Sequence, residues 1–111
     1  MEVKFRTRKL ARVFGRQELL QREYGQENAR IIMRRMSVLL AAPTLKDVPA
    51  TKPERRHQLE GSRSAQFAVD AKNPYRIVFV PANDPVPMLV NGGYDLSRIT
   101  AITIVAMEDY H

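Results

Sequence analysis

Residues 99–107 read ITAITIVAM, a run in which β-branched side chains recur with no glycine, proline or charge among them. Such side chains fit a pleated, half-buried surface, so the run is expected to be a strand. Working back from it, YRIVFV (75–80) is a second strand starting at Tyr75. The turn-like DAKNP (70–74) connects it to a third, SAQFAVDA (64–71), which places Phe67 and Val69 on one face. Strands arriving in succession at the end of the chain define a small antiparallel sheet. A fourth, short strand at Val3–Phe5 is compatible with the weak alternation there.

The segments before residue 43 carry a different period. From Arg6, Leu10, Val13, Phe14, Leu20 and Tyr24 fall on one helical face, with Gly15 as a point of breakage or kinking and Gly25 as a stop. Over Glu27–Ala42 a second helix is expected. Its apolar stripe is Ala29, Ile32, Met33, Met36, Leu39 and Leu40, and Arg30, Arg34 and Arg35 point away from it. Pro43 ends it. PTLKDVPATKPERRHQLEG (43–61), with three prolines and no period, reads as an ordered loop, and PANDPVPMLVNGGYDLSR (81–98) as a long excursion between the last two strands. The expected architecture is α+β: two N-terminal helices packed on one face of a small antiparallel sheet. The 111 residues make a single domain, 1–111.

Composition narrows the function. The chain has no cysteine, so disulfides and thiolate metal sites are excluded, and it shows no zinc pattern, glycine-rich phosphate loop or helix-turn-helix signature. No apolar run is long enough to span a membrane, and the N-terminus lacks the continuous apolar segment of a secretory leader. A cytoplasmic protein without membrane contact is therefore expected. The formal charge is +6, unevenly placed: residues 1–57 hold 14 basic and 6 acidic groups, residues 58–111 hold 4 and 6. A polyanionic partner, nucleic acid first, follows from a basic half of that kind.

Two histidines are present, His57 at the end of KPERRH (52–57) and His111 at the end of EDYH (108–111). Taken alone, the first motif is a solvated charge run and the second a solvated tail. Together they lie at two loop ends that flank the sheet and can meet at one edge of it. Metal-free RNA cleavage needs a base for the ribose 2′-hydroxyl, an acid for the leaving oxygen and cations beside the phosphorane. His57, Arg76, Asp109, Tyr110 and His111 contain those functions. Continued alternation puts Asp109 and His111 on one face and Tyr110 on the other. No cofactor is expected. A metal site built from His57, Asp109 and His111 is the weaker reading, because no compact ligand motif accompanies it.

The pattern H-x-L-x-G (His57, Leu59, Gly61), a strand around Phe67, YRIVF (75–79) and a last strand ending in EDYH resembles the HigB group of RelE/ParE-superfamily toxins of bacterial type II toxin–antitoxin modules. The resemblance covers roughly the C-terminal half. It implies a compact RelE-like, microbial-RNase-like α+β fold and ribosome-dependent cleavage of mRNA. Neutralisation by a cognate, HigA-like antitoxin follows, the free toxin being monomeric and oligomeric only with its antitoxin. It carries catalytic roles onto His57, Arg76, Asp109, Tyr110 and His111, without dividing base from acid. Arg34, Arg35, Arg55 and Arg56 become candidates for ribosomal RNA contacts. The chain departs from the pattern at Glu60, often basic, at Phe67, often tryptophan, and in the 81–98 excursion, where a tight turn is usual. That excursion is a candidate cap over the cleft, contact for ribosome or antitoxin, or edge decoration. The chain is expected to have to end at His111, since added residues would stand where RNA enters. Two other readings stay open: a non-enzymatic ParE-like inhibitor of DNA gyrase, and a non-toxic suppressor or partner protein that keeps the fold.

Overall fold

The structure, a computed structural model, describes residues 1–110. The first helical period is broken where Gly15 stands: α1 covers Arg8–Phe14 and α2 covers Gln17–Tyr24. A Cβ at Gly15 would lie 3.0 Å from the Ala11 carbonyl oxygen, so the tight turn that ends α1 favours a residue without one. Thr7 caps the start of α1, its Oγ1 accepting from the Leu10 amide at 3.1 Å. Gly25 sits at φ 86°, a left-handed value that lets α2 pass directly into α3, Gln26–Ala41. Among the described residues three α-helices replace the two expected.

The strands are β1 (Glu2–Phe5), β2 (His57–Gln58), β3 (Phe67–Asp70), β4 (Tyr75–Pro81) and β5 (Ala101–Asp109), in the sheet order β1-β5-β4-β3-β2. Pairing is antiparallel throughout except β1 with β5, which is parallel. The sheet is mixed, not purely antiparallel, because the helices carry the chain from β1 back across one face before the remaining strands are laid down. The α+β class holds.

One face of the sheet meets the helices. Phe67, Val69, Ile77, Phe79, Ile102 and Ile104 pack there with Val13, Leu20, Ile32 and Leu39, and the rings of Phe67 and Phe79 stack at 6.1 Å. On the other face only a small cluster forms, Leu59 over Ala68 and Val78, with Val105 beside it. That outer face is otherwise free to carry polar chemistry.

A bulge decides which residues reach it. Phe79 pairs with Ile104 and Val78 with Ala106, so Val105 is an extra residue on β5. A one-residue insertion shifts the alternation and exchanges the faces of everything after it. Met107 therefore returns to the helix side, and Glu108 stands opposite Arg76 on the outer face.

Helix α3 also departs from expectation. Ala29, Ile32 and Leu39 are buried, but Met33 and Leu40 are exposed and Arg35 is buried. The Arg35 Nε donates to the Asp70 carbonyl oxygen at 2.6 Å, tying α3 to the end of β3. A buried guanidinium with a structural carbonyl partner is not available to ribosomal RNA. Arg35→Ala is expected to lower stability by about 1–3 kcal/mol in chemical denaturation, because it removes a buried side chain and its hydrogen bond to the end of β3. Arg34→Ala, on the exposed side, is expected to change it by less than about 0.5 kcal/mol.

The 81–98 excursion is ordered. Asn83 Oδ1 accepts from the Thr100 and Ala101 amides and closes its neck; Met88 bridges to Tyr94 across the tip. The Tyr94 ring meets Phe67 edge-on at 5.7 Å, and the Ile99 carbonyl accepts from the Leu45 amide at 2.9 Å. The excursion is thus seated on the helix side of the sheet. No helix among the described residues is long and apolar enough to cross a membrane.

Candidate active site

His57 lies in β2 rather than in a loop, paired with Ala68, which places it on the outer face. Its Nδ1 is 2.8 Å from the Arg55 carbonyl oxygen. A carbonyl can only accept, so Nδ1 carries the hydrogen and Nε2 keeps its lone pair in the neutral ring. Arg55 holds this geometry from an unusual backbone position, φ 47°, and its side chain grips Asp70 with two bonds, Nε to Oδ2 at 2.7 Å and Nη2 to Oδ1 at 3.0 Å. That hydrogen-bonded pairing raises the Arg55 pKa, with Tyr110 contributing less. The amide of Asp70 in turn donates to the Glu54 carbonyl, so the segment before β2 is fastened to β3.

A depression of about 320 Å³ opens beside His57, lined by His57, Gln58, Leu59, Glu60, Arg63 and Arg76. Arg63 reaches it from the 3₁₀ turn Gly61–Arg63, and Arg76 from β4. Between the two guanidinium groups stands Glu108. Arg63 donates to both of its oxygens, at 3.0 and 2.6 Å, and Arg76 donates twice to Oε1, at 3.1 and 2.7 Å. The hydrogen bonds from Arg63, then those from Arg76, hold the Glu108 carboxyl at about 2 against the opposing effect of burial. Arg76 also stands over the Tyr110 ring, its Cζ 4.6 Å from the centroid.

The depressed carboxyl has a consequence for folding. Glu108 ionised in the fold favours the folded state wherever the unfolded chain would still titrate near 4.5, and that contribution disappears as pH falls toward 2. Partial exposure of Arg63 limits its size. Replacing Glu108 with Gln is expected to cost about 1–2 kcal/mol at neutral pH. Denaturation curves taken between about pH 4.5 and about pH 2 are expected to show the wild type converging on the variant.

The expected site residues are thus divided. His57, Arg76 and Tyr110 come together on the outer face. Asp109 pairs with Tyr75, whose ring packs on the helix side, so the bulge sends Asp109 to the face that alternation had assigned to Tyr110. His111 lies outside the described residues. Register also parts Asp109 from His57, against a shared metal, and no group of three or more His, Cys, Asp or Glu among the described residues is placed to hold one. Arg55 borders the site through Asp70 and Tyr110. Arg56 is half-buried, its Nε donating to the Val48 carbonyl at 2.8 Å, and burial lowers its pKa. It fastens the 43–56 loop and does not face the depression. Arg34 is exposed on α3, in the layer on the far side of the sheet. No residue of the 81–98 excursion lines the depression, so it is no cap over it.

Arg63, Asp70 and Glu108 enter the site without having been singled out in the sequence. Glu108 carried no signal of its own in the sequence, because it faces Arg76 across β4 and β5 through the register shift at Val105. No protein-family model matches the chain, and no curated protein or solved structure shows significant similarity to it.

Proposed function

We propose that this protein is a toxin endoribonuclease that cleaves mRNA bound at the ribosome. The observation that carries the reading is a histidine with its Nδ1 hydrogen fixed on a backbone carbonyl, leaving Nε2 as a base in the same depression as two arginines. In the proposed reaction His57 Nε2 takes the proton of the ribose 2′-hydroxyl. The 2′-oxygen then attacks the adjacent phosphorus, and the bond from phosphorus to the 5′-oxygen breaks. The products are a 2′,3′-cyclic phosphate and a 5′-hydroxyl, the leaving oxygen receiving its proton from Tyr110 or His111. Arg76 and Arg63 face the charge that accumulates on the phosphorane.

The depression is shallow and open, and Glu108 already occupies donors of both arginines. A free RNA strand would find little here to hold it in line for attack. A template that presents the strand in a fixed geometry would supply that orientation, which favours a ribosome-bound substrate over free RNA. The antitoxin partner expected from the resemblance belongs to the same proposal.

The test is induced expression with mapping of mRNA 5′ ends, alongside cleavage of a defined message on programmed ribosomes. New 5′-hydroxyl ends in phase with the reading frame are expected. DNA breaks with intact messages would favour gyrase inhibition instead, and growth without arrest would favour a non-toxic relative.

A further inference from the structure

We propose that the open edge of β5 is a docking site for an extended acidic segment of a partner protein, which adds a strand beside residues 105–107. The proposal is independent of the ribonuclease reading, since the edge and the depression use different groups.

Strand β1 runs beside Ala101–Ile104 only, and its pairing ends with the Arg6 amide on the Ile104 carbonyl at 2.9 Å. From Val105 onward β5 has a strand neighbour, β4, on one side alone. The direction of the main-chain groups follows from two contacts. The Ile104 carbonyl points to β1, and after the bulge the Tyr110 amide donates to the Pro74 carbonyl at 3.2 Å, towards β4. Glu108 and Tyr110 therefore turn their main-chain groups to β4, and Met107 turns its N–H and C=O to the open side.

That side is not a flat exposed edge. Lys9, Leu10 and Val13 of α1 and Glu23 and Tyr24 of α2 stand over it, and with Val105–Met107 they enclose a groove of about 290 Å³. A groove of this form, with one wall of helix and a floor of unpaired strand, admits a single extended chain and keeps out a second sheet. Main-chain bonds to Met107 supply register, and Leu10 and Val13 supply an apolar pocket for alternate side chains.

Charge selects the occupant. Residues 1–16 hold Lys4, Arg6, Arg8, Lys9, Arg12 and Arg16 against the single acid Glu2, and all six basic side chains are exposed. Only Lys4 and Arg16 have an acidic partner among the ion pairs of the described residues. Lys9 and Glu23 both line the groove, and Arg6, Arg8 and Arg12, close to Lys9 in the chain, leave the surplus on this side positive for a strand with outward carboxylates.

The experiment uses the full chain and a short capped peptide alternating glutamate with valine and threonine. Amide exchange at Met107, followed by NMR, is expected to slow at least about tenfold when the peptide is added. The same peptide N-methylated at alternate amides, and its lysine-for-glutamate counterpart, are expected to have no such effect. The double variant Lys9→Glu, Arg12→Glu, whose changes are on exposed positions, is expected to weaken binding at least about tenfold with an unchanged melting temperature. Equal protection by the N-methylated peptide, or binding indifferent to the charge reversal, overturns the proposal. So does protection of Met107 by a single-stranded oligoribonucleotide in the absence of any response to the peptide.

Discussion

His57→Ala is expected to reduce cleavage of ribosome-bound mRNA by about 10²–10⁴-fold, the range a positioned general base contributes. The size of the effect rests on the tautomer. With the Nδ1 hydrogen donated to the Arg55 carbonyl, Nε2 is the one ring nitrogen able to take a proton, and alanine offers no substitute. Unfolding does not explain the loss. His57 is only partly buried and sits in a two-residue edge strand, so its removal forfeits one hydrogen bond, about 0.5–1.5 kcal/mol. Single-turnover cleavage on programmed ribosomes separates the two causes, with circular dichroism melting run in parallel. Replacing the 2′-hydroxyl at the cleaved nucleotide by hydrogen is expected to block the wild type and to leave nothing further for His57→Ala to lose. A His57→Ala protein that still arrests growth and cleaves at the wild-type rate would remove the histidine from the mechanism.

The fold was legible where local chemistry and tertiary demand coincide. The β-branched residues of 99–107 and the apolar alternation of 75–80 specify strands whatever their neighbours, and both strands are present. Gly15 announced the break between α1 and α2 for a backbone reason that needs no partner. What could not be read depends on the partner strand. Parallel pairing of β1 with β5 is a matter of where the helices return the chain, and β2 is too short to show a period. The buried Arg35 looks like any surface arginine until the Asp70 carbonyl is brought to it. The site fared the same way. His57, Arg76 and Tyr110 were recognisable by chemistry, but the Val105 bulge, invisible in an unbroken apolar run, exchanged Asp109 for Glu108 at the outer face. Arg63 lies in an aperiodic turn and became relevant only through Glu108.

Arg76→Ala is expected to lower cleavage by about 10²–10³-fold, as removal of a preorganised donor from a developing anion does. Of the two arginines, Arg76 is the better placed to stabilise that anion. Its side chain is 14% exposed, against 40% for Arg63, so its charge is less screened by water. Glu108 and Tyr110 also hold it in place, one through two hydrogen bonds to a single oxygen and the other through a cation–π contact at 4.6 Å. Arg76→Lys tests that pre-alignment. It keeps the positive charge and loses the planar fork, and an activity reduced at least about tenfold with substrate affinity nearly intact is the expected result. Binding should respond differently from chemistry: Arg76→Ala is expected to reduce the dependence of RNA affinity on salt by about one phosphate contact. The fold is expected to survive, since Glu108 retains both bonds from Arg63 and its acid titration should persist. If Arg76→Lys cleaves like the wild type, alignment by Glu108 and Tyr110 is not what the reaction uses. If Arg76→Ala loses no more activity than Arg34→Ala on the far layer, the phosphate does not bind in this depression at all.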